Sequence, residues 1–170
     1  MKKILITVLV FVFLLSGCES KTLVPKDANQ EISISKIFNL YFSDGGQKLA
    51  KEQRNITYTT SESLEKKVLE ELVKGPTIDE LRAVVSPTTK VNSVKVYNGT
   101  AIVDLSGEFL TGLNGGSELE NLRIYSIVDT LTELSNINKV QFLIDGKKGR
   151  LLGQTELDGD FERDETVIKM

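Results

Sequence analysis

Asn98 and Gly99 stand between two runs in which every second residue is apolar. The pair is the preferred centre of a two-residue type I′ turn, because both positions need a positive φ and these two residues tolerate it best. That turn sets the pairing. Residue 96 faces 101, 94 faces 103 and 92 faces 105, so Val94, Val96, Ala101, Val103 and Leu105 share one face. Lys95, Tyr97, Ile102 and Asp104 take the other. A chain built on this hairpin has one side of a sheet to cover, which calls for helices with apolar stripes.

Two segments supply them. In SLEKKVLEELVKGP (63–76), Leu64, Val68, Leu69, Leu72 and Val73 form a stripe opposite Glu65, Lys66, Lys67, Glu70 and Glu71, and Gly75-Pro76 ends it. Thr59 and Glu62 have capping-box spacing at its start, with Ser61 as a competing cap. In SELENLRIYSIVDTLTELSNI (117–137), a second box, Ser117 to Glu120, precedes Ile124, Ile127, Val128, Leu131 and Leu134 at helical spacing. Between them, Thr77 and Glu80 precede Leu81, Val84 and Val85, which predicts a short helix closed by Pro87.

Alternation returns at both ends. KIFNLYFS (36–43) places Phe38, Leu40 and Phe42 on one face and Ile37, Asn39 and Tyr41 on the other. A polar second strand follows after Asp44-Gly45-Gly46. KVQFLIDGK points Val140, Phe142 and Ile144 inward and Gln141, Leu143 and Asp145 outward, and the chain then turns into RLLGQTEL. The order is β, β, α, α, β, β, α, β, β: an α+β fold, a mixed sheet with helices packed on one face. The face away from the helices would carry Tyr41, Tyr97, Ile102 and Leu143, more apolar surface than a solvated layer needs and a candidate partner face. The competing expectation is that the polar second strand or residues 150–168 fold over it.

The N-terminus has its own pattern. Lys2 and Lys3 precede Ile4 to Leu15, twelve residues in which Thr7 is the only polar side chain. As a helix that run would span about 18 Å, short of a bilayer core of roughly 30 Å, so it reads as an export signal. Leu15, Ser16, Gly17 and Cys18 resemble the lipobox of bacterial lipoproteins, with cleavage between Gly17 and Cys18 and a diacylglyceryl group on the Cys18 thiol. An ordinary secretory signal with an incidental cysteine is the alternative. Two acyl chains hold a protein durably on a membrane. The expected location is therefore the extracytoplasmic face of the cell membrane.

The expected organisation is a signal peptide over 1–17, a lipidated N-terminus and polar tether over 18–35, a folded domain over 36–156 and an acidic tail over 157–170. A flexible tether of that length holds the domain roughly 20 to 25 Å from the lipid. Removing residues 1 to 17 takes away two lysines and no acids, leaving 19 basic and 24 acidic residues, a net charge of −5. Such a surface does not suit nucleic acid or anionic lipid.

Chemistry is sparsely supplied. The chain has one cysteine and no histidine, so internal disulfides and the commonest base and metal ligand are excluded. A hydrolase here would have to use carboxylates, for which Asp104, Glu108 and Asp145 at strand ends are candidates. Asp158, Asp160, Glu162 and Asp164 are spaced two apart, but a calcium loop of the EF-hand type needs Gly and Glu where Arg163 and Lys169 stand. GLNGGSE (112–118) lacks the Lys-Ser/Thr ending of a P-loop. The expectation is a non-enzymatic module without a cofactor or metal. A small envelope hydrolase, or a module binding wall glycan or another small ligand, is the alternative.

Three stretches, LEELVKGPT, VDLSGEF after the Asn-Gly hairpin and VQFLIDGK after the long helix, resemble the GerMN domain in order and spacing. That domain is found in surface lipoproteins and sporulation and germination proteins of Gram-positive bacteria. The resemblance covers residues 37 to about 154. It implies a core like the ring-building motif, a βαββα unit with extra N-terminal and C-terminal hairpins, and a protein partner or self-assembly in the envelope. Some members carry two tandem copies that attach to a secretion-like complex between mother cell and forespore; residues 36–156 correspond to one copy.

Overall fold

The computed structural model describes residues 31–111 and 116–169. Strands β1 (Ser33–Ser43) and β2 (Leu49–Thr59) form an antiparallel ribbon. Helix α1 (Leu64–Val73) follows, then β3 (Val91–Tyr97), β4 (Thr100–Leu105), helix α2 (Ser117–Leu131) and β5 (Lys139–Ile144). The chain ends in three two-residue strands, β6 (Leu151–Leu152), β7 (Thr155–Glu156) and β8 (Phe161–Glu162). The main sheet has the order β3-β4-β5-β8, with β4 and β5 parallel and its other pairs antiparallel. The α+β class and the mixed sheet are as expected.

The hairpin has the expected register, Val96 opposite Ala101 and Val94 opposite Val103, around a turn with φ of 48° at Asn98 and 77° at Gly99. A bulge at Asn92 shifts the far end, so that Val91, and not Asn92, faces Leu105. Because β4 and β5 are parallel, α2 serves as the crossover between them. Val94, Ala101, Val103, Leu105, Val140, Phe142 and Ile144 are buried beneath the helices, and Phe109 stacks on Phe142 at 6.0 Å.

The ribbon differs from what the resemblance implies. The strand before α1, β2, pairs only with β1 in a separate sheet, so the helix-and-sheet unit reads α1, β3, β4, α2, β5. Helix caps also differ. Ser63 caps α1 by accepting the Lys66 N–H at 3.2 Å, and Gly75, at φ 88°, ends the helix as expected. Glu62 accepts the Thr59 N–H at 2.6 Å, but this bond closes the turn ahead of the helix. Ser117 lies inside α2 and makes no cap; Glu120 bonds the Gln154 N–H and Thr155 hydroxyl of the β6–β7 hairpin.

The short helix expected after Pro76 does not form. Ten residues between two prolines make a marginal helix, and Ser86 before Pro87 is biased away from the helical region. The backbone finds stronger partners outside itself. Buried Glu52 accepts the N–H groups of Thr77 at 2.7 Å and Ile78 at 3.2 Å, and Arg82 exchanges two backbone hydrogen bonds with Ser43. Leu81, Val84 and Val85 are nevertheless buried.

Residues 157–169, expected as an acidic tail, belong to the folded body. Phe161 pairs with Val140 and packs edge-on against Phe142 at 5.3 Å, and Leu157 and Val167 are buried. The Lys169 N–H donates to the Leu49 carbonyl at 2.7 Å. The charges in this segment point outward or pair, while Leu157, Phe161 and Val167 anchor it. Strand β1 likewise begins at Ser33, so that the last three residues of the expected tether belong to the ribbon.

Candidate interaction surfaces

The open face of the main sheet carries a diagonal apolar stripe. Lys95 lies opposite Ile102, so Tyr97, two residues on, is its diagonal neighbour; Ile102 lies beside Gln141, and Leu143 is the next diagonal. Tyr97 is 71% exposed, and Ile102 and Leu143 are half-buried by their neighbours in the sheet. The β6–β7 hairpin reaches α2 through Glu120, and β8 extends the sheet at its edge, where Asp160 bonds Lys139 at 2.6 Å and Gln141 at 2.6 Å.

Tyr41 does not share that face. It sits on the ribbon and is 3% exposed, its hydroxyl donating to Glu133 at 2.6 Å and accepting from Arg163 at 2.7 Å. Both faces of β1 are buried at this point, because α2 packs against the side that alternation alone assigns to solvent. Burial, then the hydrogen bond to Glu133, pushes the Tyr41 phenol up to about 12. Burial would raise Glu133 too, but hydrogen bonds from Tyr41 and Asn39 and the charge of Arg163 outweigh it and hold the carboxyl below its ordinary range.

Arg163 joins this cluster to a buried acid. It donates to the Asp129 carbonyl at 3.0 Å, and the Asp129 side chain accepts the Asp164 N–H at 3.2 Å through Oδ1. Asp129 Oδ2 has no hydrogen-bond partner, and burial pushes this carboxyl up to about 7. The cluster has no precursor in local sequence patterns, since its members come from β1, α2 and the chain end.

Of the candidate carboxylates, Glu108 lies in the one-turn 3-10 helix Gly107–Phe109. Asp104 accepts the Gly146 N–H at 2.9 Å, and Asp145 occupies the turn after β5 with φ 49°. Among the described residues no group of three or more His, Cys, Asp or Glu is placed to hold a metal ion. Gly17, Cys18 and most of the 112–118 loop lie outside the described residues.

A groove of about 540 Å³ runs between β1 and the end of α2, lined by Lys36 to Asn39, Gln53 and Leu64 on one side and Glu133 to Asn136 on the other. Ile37 at its rim is 61% exposed. Asn39 donates to Glu133 at 2.8 Å across it.

Comparison with known proteins identifies this architecture. The family model described as Germane, sporulation and spore germination, matches residues 39–150. The spore germination protein GerM of Bacillus subtilis (strain 168) is 37% identical over 114 residues, which are 63% of this chain and 30% of GerM. The chain thus spans under a third of that relative. The structure of the tandem GerMN domains of the B. subtilis sporulation protein GerM matches with a TM-score of 0.61 and 31% identity, covering 76% of this chain and 46% of that one. A Clostridium perfringens protein provisionally described as a lipoprotein matches with a TM-score of 0.55 and 25% identity, covering 78% and 87%. The chain belongs to the Germane family of sporulation and spore-germination proteins, with a domain of the GerMN type.

Proposed function

We propose that this chain is a lipid-anchored module on the extracytoplasmic face of the cell membrane. In this reading it docks a partner protein during sporulation, germination or envelope assembly and catalyses no reaction. The observation that carries the docking role is the stripe of exposed Tyr97 and half-buried Ile102 and Leu143, three apolar side chains on three adjacent strands. Lys95, Lys139 and Gln141 border it with polar groups, the arrangement of an apolar centre with a polar rim. The sporulation and germination setting is supported by GerM, and the anchor by the lipobox-like residues before Cys18 and by the C. perfringens relative.

The test pairs two variants. Ile102→Glu with Leu143→Glu is expected to keep the melting temperature within a few degrees and to abolish capture of the partner cross-linked in membranes of sporulating cells. Cys18→Ser is expected to leave the domain folded and release it from the membrane fraction. Early melting of the double variant would assign the stripe to the core, and a Cys18→Ser protein that still sediments with membranes would overturn the anchor.

A further inference from the structure

Strand β1 has two edges, and the hydrogen bonds at the ends of the ribbon tell them apart. Thr60 donates to the Ile32 carbonyl at 3.2 Å, and Asp44 donates to the Lys48 carbonyl at 3.0 Å. Even-numbered residues of β1 therefore turn their main-chain groups toward β2, and odd-numbered residues turn theirs away. Along the outer edge, Ser43 is paired by Arg82. Tyr41 is sealed by α2, its N–H donating to Thr130 Oγ1 at 3.1 Å and its carbonyl accepting from Ser126 Oγ at 2.6 Å. Asn39 and Ile37 continue the same row, and among the described residues no partner meets their outward main-chain groups. There the edge opens into the groove.

We propose that this stretch of β1 receives an extended peptide of a partner protein, bound as an added strand with apolar and basic residues in alternation. The proposal rests on the interaction-module reading but uses a surface separate from the open sheet face. Continuity with the sealed part of the edge argues for a strand, since α2 already satisfies the same row of donors and acceptors one position further on. Main-chain bonds to Ile37 and Asn39 would supply affinity, and alternate side chains would supply specificity. On one side of the added strand lie Phe38, Leu64 and Leu134, which suit an apolar residue. On the other stands the Glu133 carboxylate beside exposed Ile37, which suits a lysine or arginine with an aliphatic stem. The volume falls in the range of ordinary ligand sites.

Amide exchange measured residue by residue on the full chain in detergent micelles tests this. The probes are a seven-residue peptide alternating Lys and Val and its N-methylated counterpart, which cannot donate to an edge. In the free protein the Ile37 and Asn39 amides should exchange at least tenfold faster than those of Phe38 and Leu40, and the unmethylated peptide alone should slow them saturably. Equal effects of both peptides, or of neither, would overturn the proposal. So would slow exchange at Ile37 and Asn39 in the free chain that is lost on deleting residues 19–30, because the edge would then belong to the chain itself. No partner enters this measurement, so its failure leaves the sheet-face reading standing. Conversely, the Ile102→Glu, Leu143→Glu protein should bind the peptide unchanged even if capture proves independent of the stripe.

Discussion

The Tyr41 hydroxyl donates a 2.6 Å hydrogen bond to Glu133, a residue 92 positions away and two past the end of α2. Arg163, from the chain end, donates to the same hydroxyl and lies 3.2 Å from the same carboxylate. Its guanidinium also stands 5.1 Å from the Tyr41 ring. Three distant segments are thus held by one phenol, and this clamp fixes the wall of the groove against the ribbon that forms its other side.

Tyr41→Phe keeps the ring and removes the oxygen. It leaves Glu133 and Arg163 each short of one charge-assisted bond, so a loss of about 1.5 to 3 kcal/mol is expected. Urea denaturation should show a lowered midpoint with an unchanged slope, while partner capture through the sheet face is retained. A variant as stable as the parent would mean that water replaces the hydroxyl without loss.

Asp129 gives the fold a pH dependence of unusual sign. Its carboxyl is raised from an ordinary value near 3.8 to about 7 by burial, which the hydrogen bond from the Asp164 N–H and the charge of Arg163 oppose and the charges of Asp164 and Glu165 reinforce. The folded state therefore holds this proton where the unfolded chain has lost it. Its contribution to stability falls as pH rises from about 4 to about 7, by on the order of 4 kcal/mol. Glu52 and Glu133 are lowered and act oppositely, losing their contribution as pH falls through the acid range. Asp129→Asn should flatten the decline between pH 4 and 7 and be the more stable protein at pH 8. Parallel stability curves for variant and parent over that range would refute the assignment.

Local signals were read best where their partners are local. The Asn98-Gly99 turn carries its own φ requirement, so the register of β3 and β4 followed from two residues, and with it the separation of Val103 from Ile102. The α1 stripe and Gly75 were equally legible. Tyr41 was not: period-two alternation tells the two faces of a strand apart but says nothing of a helix that arrives 85 residues later to bury the second face. The segment after Pro76 failed for the same reason. Its capping residue Thr77 had a better acceptor in Glu52, 25 positions back. In the chain end, charge density concealed Phe161 and Val167, whose contacts lie on β5 and beneath the ribbon. The groove is likewise a product of tertiary placement, since Glu133 and Ile37 share no local pattern.

The chain end offers the sharpest separation of composition from structure. The family match stops at residue 150, and the last 14 residues include Asp158, Asp160, Glu162, Asp164 and Glu165. On composition they could be removed at no cost. In the structure, removing residues 157–170 takes away buried Leu157 and Val167, each worth roughly 1.5 to 3 kcal/mol of apolar burial, and half-buried Phe161 from the face of Phe142. It also takes Arg163 from the Tyr41–Glu133 pair and opens the Leu49 edge that the Lys169 N–H now meets. Their sum is comparable with the whole stability of a domain this size, about 5 to 15 kcal/mol. A chain shortened after Glu156 should therefore lose cooperative unfolding and dispersed amide resonances. The substitutions Asp158→Asn and Glu162→Gln, which remove charge from exposed positions, should change stability by less than about 0.5 kcal/mol. A shortened chain with an undiminished melting transition would return these residues to the role of a tail.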